Sequence, residues 1–269
     1  MRGRVLAIGG SDSGGGAGIQ ADVKTITALD AYAATAITAI TVQDTRAVHA
    51  VHKLPPVLIG EQIACALADP GIDAVKTGML VDTATILAVA AALRPAGIPL
   101  VVDPVMVSSS GTRLLAEDAL ATLRKTLFPL ATLVTPNIPE AELLSGLPIH
   151  DRPAMERAAH AIGARAVLVK GGHLPGETVV DMLVGEAGTT VFEHPRIPGP
   201  PRHGTGCALA SAIAACLAQG MALADAVRRA RAYVQAAIAT APAIGAGAGP
   251  LNHAVTVDLR RLDLFPEIG

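Results

Sequence analysis

The chain has 269 residues, enough for one large α/β domain or two small ones. It is 51% hydrophobic with a net charge of −2, which supplies a core and speaks against a nucleic-acid surface. Aromatic residues make up 2%, Trp is absent and the three cysteines form no CxxC pair, which disfavours base-stacking platforms and a disulfide framework and suits a reducing compartment.

Short β-like runs alternate with longer helical ones. Arg4–Gly9 reads as a strand, Ala17–Leu29 as a helix and Thr35–Thr41 as a strand. Pro56–Ala68 reads as a helix, Ala74–Lys76 as a short strand, Thr83–Leu93 as a helix and Leu100–Asp103 as a strand. Glu117–Leu127 reads as a helix, Thr132–Thr135 as a strand, Arg152–Ile162 as a helix and Ala166–Lys170 as a strand. Val179–Val184 and Thr190–Phe192 read as a late hairpin, followed by helices over Thr205–Ala218 and Leu223–Ala239. Gly245–Pro250 reads as a flexible loop. This βαβα order predicts a mostly parallel sheet with helices on both faces, in one domain spanning 1–269. The buried strands are continuous apolar runs, as parallel strands should be.

The apolar run Val5–Ile8 is too short for a signal-peptide core, so a cytoplasmic location is expected. Gly204–Ala224 carries no charge and is long enough to span a bilayer. Its glycine start and the Gln219-Gly220 interruption instead suit a helix buried against a sheet.

Ligands of open parallel sheets bind beyond the carboxyl ends of the strands. Here those ends carry Gly9–Gly18, Val42-Gln43-Asp44, Lys76-Thr77-Gly78-Met79, Asp103-Pro104-Val105, Thr135-Pro136-Asn137 and Lys170-Gly171-Gly172-His173. The stretch His203-Gly204-Thr205-Gly206-Cys207 runs straight into an apolar helix. Backbone N–H groups at such a start have no intrahelical partner and can bind an anion, and the positive helix end favours a thiolate at Cys207. No Gly-Lys-Ser/Thr occurs, so a Walker-type phosphate loop is excluded, and phosphate binding falls to Gly204–Gly206 with a lysine such as Lys170.

Gly16-Ala17-Gly18-Ile19-Gln20-Ala21 also fits the G-x-G-x-x-A dinucleotide fingerprint, so a nicotinamide-dinucleotide-binding protein is an alternative. The acid which that fingerprint needs about 20 residues on is misplaced: Asp30 is early and Asp44 late. Asp103, Asn137 and Glu140 offer oxygen ligands of the kind Mg²⁺ takes through water and phosphates, while Asn137 and Glu140 also fit a helix cap. Asp22 and Gln43 could read the edge of a heteroaromatic amine.

Taken with Gln43, Met79 and the other strand-end segments, Gly10–Asp22 resembles the N-terminal signature of hydroxymethylpyrimidine/phosphomethylpyrimidine kinases. These are thiamine-pathway members of the ribokinase-like superfamily, and the likeness runs in order along nearly the whole chain. The resemblance implies a ribokinase-like three-layer α/β/α fold with a mostly parallel central sheet, no separate lid domain and a homodimer. It implies two Mg-ATP-dependent phosphorylations, of 4-amino-5-hydroxymethyl-2-methylpyrimidine and then of its monophosphate. By the same resemblance Gly10, Asp22, Gln43, Met79 and Val105 line the pyrimidine site. Asp103, Asn137 and Glu140 serve Mg²⁺, and Lys170 meets the ATP phosphates. Gly204, Thr205 and Gly206 form the anion hole, and Cys207 is the base. Pyridoxine/pyridoxal kinases share the scaffold and the cysteine and are the nearest rival. One departure is the loop Val107–Gly111, which lacks the lysine that many family members carry before its Ser-Gly, so the second step is expected to be weaker.

Overall fold

The computed structural model describes residues 1–108, 111–116, 118–200 and 202–258. Its first half comprises β1 (Arg4–Asp12), α1 (Gly18–Ala28), β2 (Tyr32–Gln43), β3 (Val48–Lys53), α2 (Pro56–Ala68), β4 (Ala74–Thr77), α3 (Thr83–Leu93) and β5 (Leu100–Val102). There follow α4 (Ala119–Thr122), β6 (Leu133–Val134), α5 (Ile138–Ser145), α6 (Arg152–Ile162), β7 (Ala166–Val169), β8 (Thr178–Gly185), β9 (Gly188–Pro195), α7 (Thr205–Ala218) and α8 (Leu223–Ala239).

Side-chain alternation along the central strands sets the layering. In β1, Leu6 and Ile8 enter one core cluster and Val5 and Ala7 the other, and all four are fully buried. β5 and β7 split in the same way, with Val102 and Val169 on one side and Val101 and Leu168 on the other. Both faces therefore need cover, which explains the unbroken apolar runs. Helices α2 to α6 cover the first face; α1, α7 and α8 cover the second. This is the three-layer α/β/α architecture expected, with a mostly parallel central sheet. The strand order among the described residues is β3-β2-β1-β4-β5-β6-β7-β8-β9. Pairing is parallel from β2 through β7, with antiparallel β3 at one edge and the antiparallel β8–β9 hairpin at the other.

Four details differ from the sequence reading. The edge strand β3 and the eight-residue helix α5 were not predicted. The expected helix over Glu117–Leu127 is regular only over α4; it continues as a π turn at Leu123–Leu127 and a 3-10 turn at Phe128–Leu130. Thr126 donates its hydroxyl to the Thr122 carbonyl, a bond that competes with the helical ladder, and Pro129 lacks the N–H to continue it. Glu117 itself lies outside the described residues. The loop Gly245–Pro250 is tied down: Gly247 N donates to Thr45 Oγ1 (3.1 Å) and Ala248 N to the Thr45 carbonyl (2.8 Å). Among the described residues no helix is long and apolar enough to cross a membrane, and α7 is almost wholly buried against the sheet and its neighbours.

Candidate active site

The chain leaves β1 in one direction for β2 and returns to β1's other side as β4, so the strand order switches there. A cavity of about 540 Å³ opens at this point, beyond the carboxyl ends of the parallel strands. All thirteen residues singled out from the sequence line it. Gly10 lies in β1, Asp22 in α1, Gln43 at the end of β2 and Met79 beyond β4; Asp103 and Val105 follow β5, Asn137 follows β6, Glu140 lies in α5 and Lys170 follows β7; Gly204, Thr205, Gly206 and Cys207 form the start of α7.

At the α7 end, the first intrahelical bond is Ala208 N to Gly204 O, so the N–H groups of Thr205, Gly206 and Cys207 have no acceptor within the helix. Gly204 has φ +81°, and a Cβ there would lie 2.0 Å from the Gly16 carbonyl oxygen, so only glycine fits this turn. A Cβ on Gly206 would lie 3.3 Å from Lys170 Nζ and 3.5 Å from Asp103 Oδ2. Amides, a cation and a carboxylate thus converge at one helix start. Lys170 Nζ donates to Asp103 Oδ1 at 2.9 Å, and Thr135 Oγ1 donates to the same oxygen at 3.2 Å. Burial works against the lysine's charge, but Asp103 and then Glu140 outweigh it and hold the ammonium above its usual range. The turn after Lys170 is anchored from behind. Asp181 accepts from Gly171 N (2.9 Å) and from Arg231 Nε (2.8 Å), and Arg196 donates to the carbonyls of Gly172, Leu174 and Gly176.

Cys207 stands against a buried ion pair that the sequence reading did not assemble. Lys76 Nζ donates to both oxygens of Asp22 at 2.8 Å, and Ser211 Oγ, one turn along α7, donates to Asp22 Oδ1 at 2.7 Å. Lys76 is 1% and Asp22 0% exposed. Asp22 therefore bounds the pocket chiefly through Lys76 rather than as an unengaged carboxylate. The thiolate at Cys207 expected from the helix start is disfavoured by its surroundings. Burial pushes the thiol up to about 11; Lys76 opposes the rise, and Asp22 and Asp103 add to it. The signal for the pair was present in the chain, since Lys76 is a charged residue inside the apolar strand β4.

At the opposite end, Ser13 Oγ donates to the Gln43 carbonyl and accepts from Gln43 N, both at 2.9 Å. Gln43 Nε2 meets His203 Nε2 at 2.6 Å, and the same ring nitrogen lies 3.3 Å from Asp12 Oδ2. Thr38 Oγ1 donates to the Met79 carbonyl (2.7 Å) and fixes the strand end that supplies the pocket's apolar wall. Asp12 accepts N–H bonds from Gly14, Gly16 and Ala17 at 2.8–3.0 Å. A pyrophosphate bound as the dinucleotide fingerprint requires would need these same amides. The Asp12 carboxylate occupies them, and Gln43 stands where an acid would be needed.

Asn137 and Glu140 form a complete capping box at α5: Glu140 N donates to Asn137 Oδ1 and Asn137 N to Glu140 Oε2, both at 2.9 Å. Burial pushes the Glu140 carboxyl up to about 7; Lys170 opposes this and Asp103 adds to it. With Asp103 this gives an all-oxygen donor set, the chemistry Mg²⁺ selects. No close group of three or more metal-binding side chains occurs among the described residues, so the fit is to an ion that keeps waters and phosphate oxygens as its main ligands. Asn137→Ala removes the cap and should lower stability by about 0.5–2 kcal/mol in urea unfolding. An unchanged midpoint would mean the box does not hold the helix start. Val107 and Ser108 line the cavity, and Ser108 N and Oγ both bond Thr112, while Ser109 and Ser110 of the lysine-lacking loop lie outside the described residues.

A family model described as phosphomethylpyrimidine kinase matches residues 12–252. A thiamine biosynthesis bifunctional protein of Geobacter sulfurreducens is 49% identical over 261 residues; the match covers 96% of this chain and 53% of that protein, so the chain spans about half its length. A hydroxymethylpyrimidine/phosphomethylpyrimidine kinase of Rhizobium meliloti is 49% identical over 256 residues, covering 92% of this chain and 96% of that one. The phosphomethylpyrimidine kinase structure from Clostridium difficile is similar with a TM-score of 0.78 at 44% identity, over 87% of this chain and 99% of that one. An ADP complex of Bacillus subtilis pyridoxal kinase is similar with a TM-score of 0.88 at 36% identity, over 95% of this chain and 98% of that one.

Proposed function

The chain belongs to the phosphomethylpyrimidine kinase family, and from that premise we propose that its pocket carries two phosphoryl transfers from ATP. The first acceptor is the hydroxyl of 4-amino-5-hydroxymethyl-2-methylpyrimidine, and the second is the monophosphate so formed. One observation carries this reading: a single cavity joins an anion-binding helix start, with Lys170 and Cys207, to a polar ring-reading end at Gln43.

In the first transfer the alcohol oxygen forms a bond to the γ-phosphorus as the bond to the β-phosphate oxygen of ATP breaks. The alcohol proton passes to Cys207 in its thiolate form, which has first lost its own proton to solvent, and ADP leaves. Lys170 and the amides of Thr205, Gly206 and Cys207 face the negative charge on the transferring group. In the second transfer the nucleophile is a phosphate oxygen that already carries charge, so no proton needs to be removed. Lys76, opposite Asp22, is the nearby cation that opposes the high proton affinity of the Cys207 thiol. Asp103, Asn137 and Glu140 would hold Mg²⁺, mostly through waters and ATP phosphates. When bound, the ion neutralises charge on the phosphates.

Gln43→Ala tests the ring-reading end. A site built to hydrogen-bond a ligand loses that bond selectively, so kcat/KM for the aminopyrimidine should fall about 10- to 100-fold while KM for ATP stays within about twofold. Equal losses for both ligands would place Gln43 in the nucleotide site and defeat the assignment.

A further inference from the structure

We propose that His203, oriented by Asp12, fixes the Gln43 amide so that its NH₂ group, and not its carbonyl oxygen, faces the ligand. The pocket then reads a hydrogen-bond acceptor on the ring, and His203 is a specificity-positioning residue.

The argument is one of donors and acceptors. His203 Nε2 lies 2.6 Å from the Gln43 side-chain nitrogen Nε2 and 3.3 Å from Asp12 Oδ2. A carboxylate oxygen only accepts, so the ring nitrogen beside it is favoured when it carries hydrogen. Asp12 is well placed to stay ionised. It is 3% exposed, which raises its carboxyl, but His203 and the amides of Ala17 and Gly14 outweigh this and lower it. A bare Nε2 would instead aim its lone pair at that carboxylate. With hydrogen on Nε2, the facing amide atom of Gln43 must be an acceptor, which is Oε1. Half a turn about the last side-chain torsion exchanges Oε1 and Nε2 without moving the chain.

The backbone of Gln43 is held in place. Ser13 Oγ bonds both its N–H and its carbonyl, and it closes β2 at a register shift against β3. The amide orientation is then set by the Asp12–His203 pair. The sequence positions are far apart, 12, 43 and 203, so the fold assembles the relay from β1, the end of β2 and the residue before the α7 glycine turn.

The identity of the ring rests on the aminopyrimidine reading above; the orientation of the amide does not, and the two are tested separately. Nitrogen NMR of the ligand-free protein, with His203 assigned through His203→Gln, should show hydrogen on Nε2 near pH 7. A bare Nε2, with hydrogen on Nδ1 alone, overturns the proposal whatever the substrate. In the enzyme assay, the aminopyrimidine alcohol is compared with analogues in which each ring nitrogen in turn is replaced by C–H. The wild type should discriminate against one analogue by about 10- to 100-fold in kcat/KM. His203→Phe removes the donor, so that ratio should fall below about threefold. His203→Gln supplies an NH₂ that can reach both Asp12 and Gln43, and it should restore most of the ratio. A ratio unchanged in His203→Phe, or lost equally in His203→Gln, would reduce His203 to packing. Absence of aminopyrimidine phosphorylation in the wild type would defeat the ring assignment and leave the NMR result to decide the amide.

Discussion

Cys207→Ala is expected to lower kcat/KM for the alcohol by about 10²–10⁴-fold and to spare most of the second transfer, because only the alcohol needs a base. The two rates are measured separately, starting from the alcohol and from the monophosphate. The pH profile sharpens the test. The thiol lies near 11, so at neutral pH the basic form is scarce, and its fraction rises about tenfold per unit as pH increases toward that value. The alcohol step should therefore climb with pH above neutrality, and the monophosphate step should not share that climb. Equal losses in both steps for Cys207→Ala, with parallel pH profiles, would mean that Cys207 shapes the helix start and takes no proton.

Lys170→Ala should damage both steps, by about 10²–10³-fold each in kcat, the range seen when one pre-organised group facing developing charge is removed. In the proposed mechanism both transfers pass a phosphoryl group over Gly206, beside which Lys170 Nζ lies. The variant should still fold. The lysine is the largest influence opposing the upward shift of Glu140, so without it that carboxyl rises further, which favours its neutral form and relieves its repulsion with Asp103. Circular dichroism and a urea midpoint check the fold, and separate assays check the rates. A second transfer that runs at the wild-type rate would remove Lys170 from the phosphate site.

The contrast between these lysines shows what a sequence can carry. Lys170 ends β7 beside a glycine pair, a pattern legible along the chain. Lys76 sits in an apolar strand, and its partners Asp22 and Ser211 come from α1 and α7. No local periodicity links those positions. The same holds for His203 with Gln43, 160 residues apart. Helices α2, α3, α6, α7 and α8 have the bounds read from the chain; in the structure Asp82 and Asp151 cap the starts of α3 and α6. Strand β3 escaped because Val48–Lys53 lies at a sheet edge and carries two histidines and a lysine, so its alternation is weak. Helix α5 has only eight residues, and its cap was read while its body was not. That the thirteen residues singled out from the chain meet at one cavity follows from topology. In a parallel sheet the strand ends share one rim, so residues that punctuate the strands are brought together.

The central claim is that one pocket phosphorylates first an alcohol and then a phosphate on an aminopyrimidine. It is tested most directly by incubating the protein with Mg-ATP and 4-amino-5-hydroxymethyl-2-methylpyrimidine and resolving the products by charge over time, with pyridoxal as the competing acceptor. The expected result is monophosphate appearing first, diphosphate following, and kcat/KM for the aminopyrimidine exceeding that for pyridoxal. Phosphorylation of pyridoxal in preference to the aminopyrimidine, or no ATP-dependent product from either, would contradict the account.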